Sequence, residues 1–130
     1  MDQRFGKKEK LKSRKLIGEV FSQGKNLTSF PLKLVYYKLP DPLKHSPNIA
    51  GVQLKVGVSV PKKKFNKAVH RVHLKRLIRE AYRKNKYLVY EHNSSSFAMM
   101  FLYIGREKAD YRTIETAVQQ LLKRFVEREK

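Results

Sequence analysis

The chain has 130 residues, with 30 Lys and Arg against 11 Asp and Glu, a formal charge of +19 and a pI near 10.3. That length suits a single domain spanning 1–130, and the 41% apolar fraction supports a core, which excludes a wholly disordered chain. No cysteine means no disulfide, thiolate metal site or Cys nucleophile, and no apolar run nears the ~18 residues of a membrane span.

Residues 1–12, MDQRFGKKEKLK, are polar and basic and read as a flexible arm. The N-terminus lacks the apolar stretch of a secretory signal, so a cytoplasmic protein without a membrane partner is expected. Ser13 offers an N-cap, Leu16, Ile17, Val20 and Phe21 recur at helical spacing, and Gly24 stops the turn, predicting a helix over 14–23. PLKLVYYK, from Pro31 to Lys38, is rich in β-branched and aromatic residues and predicts a strand, with a weaker strand before it near 26–29. LPDPLKHSPNIAG reads as a loop by its three prolines. VQLKVGVSV predicts another strand, with Val56, Val58 and Val60 on one face and Gly57 and Ser59 on the other.

The next segment is helical from about 66 to 86. FAMMFLYIG, from Phe97 to Gly105, is the most apolar run and predicts a central strand. Asp110 then caps a last helix with Ile114, Ala117, Val118, Leu121, Leu122 and Phe125 on its apolar stripe. The order is helix, strands, helix, strand, helix, which is an α+β fold with a mixed sheet of about four strands and three helices. Internal repeats and low-complexity tracts are absent.

Lys62 to Lys86 holds eleven Lys and Arg against one acid, Glu80. On a helical wheel, Leu74, Leu77, Ile78 and Ala81 share the core arc, while Lys75, Arg76, Arg79, Arg83 and Lys86 gather opposite, with Val72 among them. A merely solvated face mixes signs, because Glu–Lys pairs one turn apart stabilise a helix and like pairs weaken it. Residues 106–130 show such a mixture, seven basic against five acidic side chains. The stripe at 62–86 therefore points to phosphate contact, driven by counterion release. Were ~5–8 side chains to engage, affinity would fall by a few powers of ten between dilute and ~0.2 M salt.

His70 and His73 have a spacing that can place two imidazoles on one metal, but a third ligand is lacking and the surrounding cations repel a dication, so no metal site is assigned. A glycine-rich phosphate loop, a serine elbow and a carboxylate pair are all missing, so no catalytic residue is assigned. Phe21, Phe30, Tyr36 and Tyr37 are candidates to stack unpaired bases or to fill the core. Tyr36 and Tyr37 point to opposite faces of one strand, so at most one of them meets a ligand on a given side.

VGVSVPKKK followed by AVHRVHLKRLIREAYR resembles the protein component of bacterial ribonuclease P, as does LKSRKLIGEVFSQGK with its Val-Phe pair and closing glycine. The likeness runs over about residues 11–125. That family carries a Lys-Lys pair, then Arg-Asn-Arg leading into Lys-Arg-Leu-x-Arg-Glu. Here Lys62 and Lys63 match the pair, Arg71, Lys75, Arg76 and Arg79 match the signature, and the central triplet reads Arg71-Val72-His73. The resemblance implies a left-handed βαβ crossover and two RNA contacts. The catalytic RNA would be held by Lys62, Lys63, Arg71, His73, Lys75, Arg76 and Arg79, with Arg83 extending the stripe. The 5′ leader of precursor tRNA would lie in a cleft lined by Ile17, Phe21 and Tyr36. Hydrolysis would be the RNA's, using magnesium, with none held by the protein. The rivals are a ribosomal or general structural RNA-binding protein and a stand-alone nuclease.

Overall fold

The computed structural model describes residues 10–11, 13–39, 54–90 and 96–129. Its elements are α1 (Arg14–Gln23), β1 (Lys25–Ser29), β2 (Leu32–Lys38), β3 (Leu54–Ser59), α2 (Ala68–Asn85), α3 (Tyr87–Tyr90), β4 (Phe97–Tyr103) and α4 (Tyr111–Arg128). The order of elements matches the expectation, with one addition. Lys86 closes α2, and the apolar Tyr87–Tyr90 stretch winds one further turn that buries Val89. The expected loop at LPDPLKHSPNIAG lies almost wholly outside the described residues.

Local chemistry sets the ends of the helices. The Ser13 hydroxyl accepts from the Leu16 N–H at 3.2 Å, and the Asp110 carboxylate accepts from the Thr113 N–H at 2.9 Å, each satisfying an amide that the helix leaves free. At the other end of α1 the Gly24 N–H reaches the Val20 carbonyl, and the chain enters β1 at the next residue. A Cβ at Gly24 would stand 2.2 Å from the Val20 oxygen and 2.7 Å from the Tyr36 oxygen, so only glycine permits this abrupt passage.

The four strands lie in the order β1-β2-β4-β3. β1 with β2 and β2 with β4 are antiparallel, while β3 and β4 are parallel neighbours joined through α2 and α3. β4 is interior and takes hydrogen bonds on both sides, as its continuous apolar run predicts. Strand alternation divides the core. Leu32, Leu34 and Tyr36 of β2, with Phe97, Met99, Phe101 and Tyr103 of β4, face α2 and α4. Val35, Ala98 and Met100 face the other way, beneath Val20 of α1. The result is three layers: α1, the sheet, and the α2–α4 pair.

Two departures concern the ends of the basic segments. Lys10 and Leu11 do not belong to a loose arm: Lys10 forms a parallel bridge with Val56, the Leu11 N–H donates to the Val56 carbonyl at 2.9 Å, and Leu11 is buried. Lys86, expected on the exposed stripe, is also buried, because it sits at the turn where α2 passes into α3.

Candidate RNA interface

α2 buries Leu74, Ile78, Ala81, Tyr82 and Asn85 and turns its cations outward. Arg76 and Arg79 are exposed, Lys75 is half-buried, and none of the three has an ion pair or hydrogen bond among the described residues. Lys62 and Lys63 are exposed in a turn just before the helix. That turn is held from inside by buried Phe65, whose N–H donates to the Pro61 carbonyl at 3.2 Å. Arg71 fastens it from the helix, its guanidinium donating to the Phe65 carbonyl at 2.6 Å. Arg71 thus does a structural task that its place in the motif does not show; its remaining donors are still half accessible. His73 is exposed on the same helix.

Arg83 is engaged differently. Its Nε donates to Glu80 Oε2 at 3.1 Å and its Nη2 to Oε1 at 2.5 Å, a two-pronged pair one turn apart. Those hydrogen bonds hold the Glu80 carboxyl below the usual carboxylate range, so it stays ionised and offsets the Arg83 charge. Arg76, Arg79 and Arg83 line a shallow groove of about 300 Å³ with Val72, Glu80 and Lys10. Lys10 is the contributor that sequence reasoning missed, because nothing in the basic N-terminal run shows that it lies along β3.

The second expected site divides. Ile17 is half-buried against the cluster under α1, and Phe21, one turn on, is 49% exposed. Tyr36 does not join them. It lies on the opposite face of the sheet, 2% exposed, with its ring edge-on to Phe97 and Phe125 at 6.0 and 4.8 Å. Its hydroxyl donates to Glu129 at 3.0 Å, and burial followed by that carboxylate pushes its pKa up to about 12. The tyrosine on the α1 side is Tyr37, half-buried against the same cluster as Ile17. Alternation places Lys33 and Lys55 on that face too, both half-buried. The signal was available: Leu32 and Leu34 are in phase with Tyr36 and commit it to the main core. On β3, Gly57 lets Met100 pack directly on the strand, since a Cβ there would stand 2.7 Å from Met100 Sδ.

Among the described residues no three His, Cys, Asp or Glu come together in a group that could hold a metal ion, and no helix is long and apolar enough to cross a membrane. What the geometry defines is an α+β domain with an unpartnered cationic helix face on one side of its sheet and a short helix bearing an exposed phenylalanine on the other, a form suited to binding RNA.

Comparison with known proteins narrows this. The Ribonuclease P family profile matches residues 5–126. The ribonuclease P protein components of two Porphyromonas gingivalis strains, ATCC 33277 and W83, are 36% and 38% identical over 124 residues, covering 93% of this chain and 85% of theirs. The solved RNase P protein of Thermotoga maritima superposes with a TM-score of 0.67 at 25% identity, over 89% of this chain and 96% of that one. That of Staphylococcus aureus superposes at 0.69 with 17% identity, over 90% and 94%, and speaks to the fold. The chain belongs to the ribonuclease P protein family and is a protein subunit of that tRNA-processing endoribonuclease.

Proposed function

We propose that this subunit binds the catalytic RNA through α2 and the turn before it, and the 5′ leader of precursor tRNA through the cleft between α1 and the sheet. The observation that carries the first contact is the unpartnered cationic face. Lys62, Lys63, Lys75, Arg76 and Arg79 have no acid against them among the described residues, and each can release counterions when a phosphate takes its place. His73 adds a donor, Arg71 orders the turn and contributes its free prongs, and Arg83 joins once RNA competes with Glu80. Val72, 55% exposed, supplies apolar contact to sugar or base where the family has an amide.

The second contact rests on Ile17, half-exposed Phe21 and Tyr37, with Lys33 and Lys55 to hold phosphate. A single-stranded leader has exposed base faces, and aromatic side chains stack on them without demanding a sequence. The hydrolysis belongs to the RNA with magnesium, and the chain's task is to hold two RNAs in register.

The test is precursor tRNA cleavage at low magnesium by a bacterial ribonuclease P RNA with the protein, without it, and by the protein alone. Cleavage at the mature 5′ end only when both are present is expected. Salt-sensitive RNA binding without stimulation would favour a general structural RNA-binding role.

A further inference from the structure

A cavity of about 480 Å³ opens between the β1–β2 turn and the connection from β4 to α4, on the far side of the sheet from α1. Its size falls in the ~300–1,000 Å³ range of small-ligand sites. Phe30 and Pro31 form one wall, and Tyr103 and Ile104 another. The walls are fastened: the Ile104 N–H donates to the Pro31 carbonyl at 2.8 Å, and the Tyr103 hydroxyl donates to the Glu107 carbonyl. Tyr103 is also packed edge-on against Phe65 at 5.5 Å.

Phe30 is the unexplained residue. It is 73% exposed, more than any other large apolar side chain among the described residues, and belongs to neither core cluster. Leaving a phenyl ring in water forgoes the burial that stabilises every other phenylalanine of the core. The charges around it show what would cover it. Arg106 and Lys108 line the cavity, with Glu107 the one acid among the lining residues. Lys64 reaches in from the basic turn to donate to the Ile104 carbonyl at 2.9 Å. Lys108 lies close enough to His70 to depress its pKa, so the cavity rim meets the start of α2. The cationic path of the catalytic-RNA face thus ends at an aromatic ring over an open cavity.

We infer that this cavity receives one unpaired nucleotide of the catalytic RNA, its base on the Phe30 ring and its phosphate between Lys108 and Arg106. An apolar peptide would satisfy the ring but not the cations, and a bare anion the reverse. The choice of the catalytic RNA rests on the proposed function of α2, with which the site is continuous.

The test uses the holoenzyme assembled from the full chain and a bacterial ribonuclease P RNA. With Phe30→benzoylphenylalanine, irradiation is expected to crosslink one unpaired nucleotide of the radiolabelled catalytic RNA. Thr116→benzoylphenylalanine, on the exposed side of α4, gives the background. A crosslink confined to labelled precursor tRNA would uphold a nucleotide site and overturn its assignment to the catalytic RNA; background levels with both RNAs would overturn the site. Independently, Phe30→Ala should weaken catalytic-RNA binding roughly 5- to 150-fold, the range for loss of one stacked base, with Phe30→Tyr near wild type. An unchanged Kd for Phe30→Ala would also overturn it. Wild-type protein failing to bind the RNA would instead refute the subunit's proposed contacts as a whole.

Discussion

α2 and α4 have the same length, pack side by side on one face of the sheet and carry many charges, yet they spend those charges in opposite ways. On α4, Arg124 donates to the Thr28 carbonyl at 2.7 Å and Arg128 to the Asn26 carbonyl at 3.2 Å, closing alternate positions of the edge strand β1. Just past its end Glu129 receives Lys25 and Tyr36, and within it Glu115 receives Asn85 and Tyr111. The helix has its side-chain cap at Asp110. On α2 the cap is Lys67 without a side-chain hydrogen bond, and Lys75, Arg76 and Arg79 have no partner among the described residues. Charge that the fold itself uses is structural; charge that it leaves over is what a polyanion can use. On the proposed reading, availability and not density distinguishes the interface.

The most direct way to break this comparison is to remove both leftover arginines. Arg76→Ala with Arg79→Ala should lower affinity for the catalytic RNA about 10- to 100-fold and flatten the salt slope by about one unit per arginine. Arg124→Ala should leave affinity and slope near wild type. Equal losses from the two helices, read by filter binding across a salt series, would show that density alone matters. Next in size is the joint between the helices. Asn85 Nδ2 donates to the Ala81 carbonyl at 2.8 Å and to Glu115 at 3.2 Å, while Gln119 donates to Asn85 Oδ1 at 3.0 Å. Asn85→Ala leaves Gln119 and Glu115 short of a partner in a buried seam and should cost about 1–3 kcal/mol in denaturant unfolding. The salt slope of the folded variant should not change.

Much of this was legible in the sequence because it rests on short-range rules. Ser13, Gly24 and Asp110 mark helix ends by hydrogen bonds to residues three or four away, and the α2 stripe follows from a fixed angle per residue. Tyr36 and Tyr37 were separated correctly onto two faces, yet which face was which depended on the partner layer, and the core residues Leu32 and Leu34 decided it. Lys10 on β3, Arg71 on the Phe65 carbonyl and Arg83 on Glu80 were not legible as roles, because a cation's partner is a tertiary or rotameric fact. The cavity beside Phe30 needs residues from 30 to 113 brought together, and the sequence pattern offers only an aromatic residue before a proline.

A smaller effect sharpens the contrast within α2 itself. Glu80 is the acid of the stripe, and it occupies Arg83. Glu80→Gln keeps the side-chain shape but removes the charge that holds the guanidinium and repels phosphate. Affinity should rise about two- to five-fold, with a slope steeper by up to about one unit. An unchanged Kd would mean that Arg83 stays outside the RNA contact even when released, and that the interface ends at Arg79.

The smallest effect concerns the start of α2, where His70 reports on whether phosphate arrives. In the free protein its pKa is lowered, first by desolvation and then by Lys108, Lys67 and His73, the charged and titratable groups that face it. A phosphate brought among those cations offsets their positive field, so the pKa in the complex should lie above that in the free protein. A group whose pKa rises on binding takes up a proton, and binding then tightens as pH falls through the window between the two values. Affinity should therefore be about two- to four-fold higher near about pH 6 than near about pH 8, beyond any change seen with a duplex control. His70→Gln should remove part of that dependence while leaving the salt slope intact, since a neutral amide replaces a side chain that is mostly neutral in the free protein. If the pH dependence survives in full, phosphate does not come near His70, and the contact begins farther along the helix. That outcome would separate the Phe30 cavity from the α2 stripe, since it is through Lys108 and His70 that the two meet.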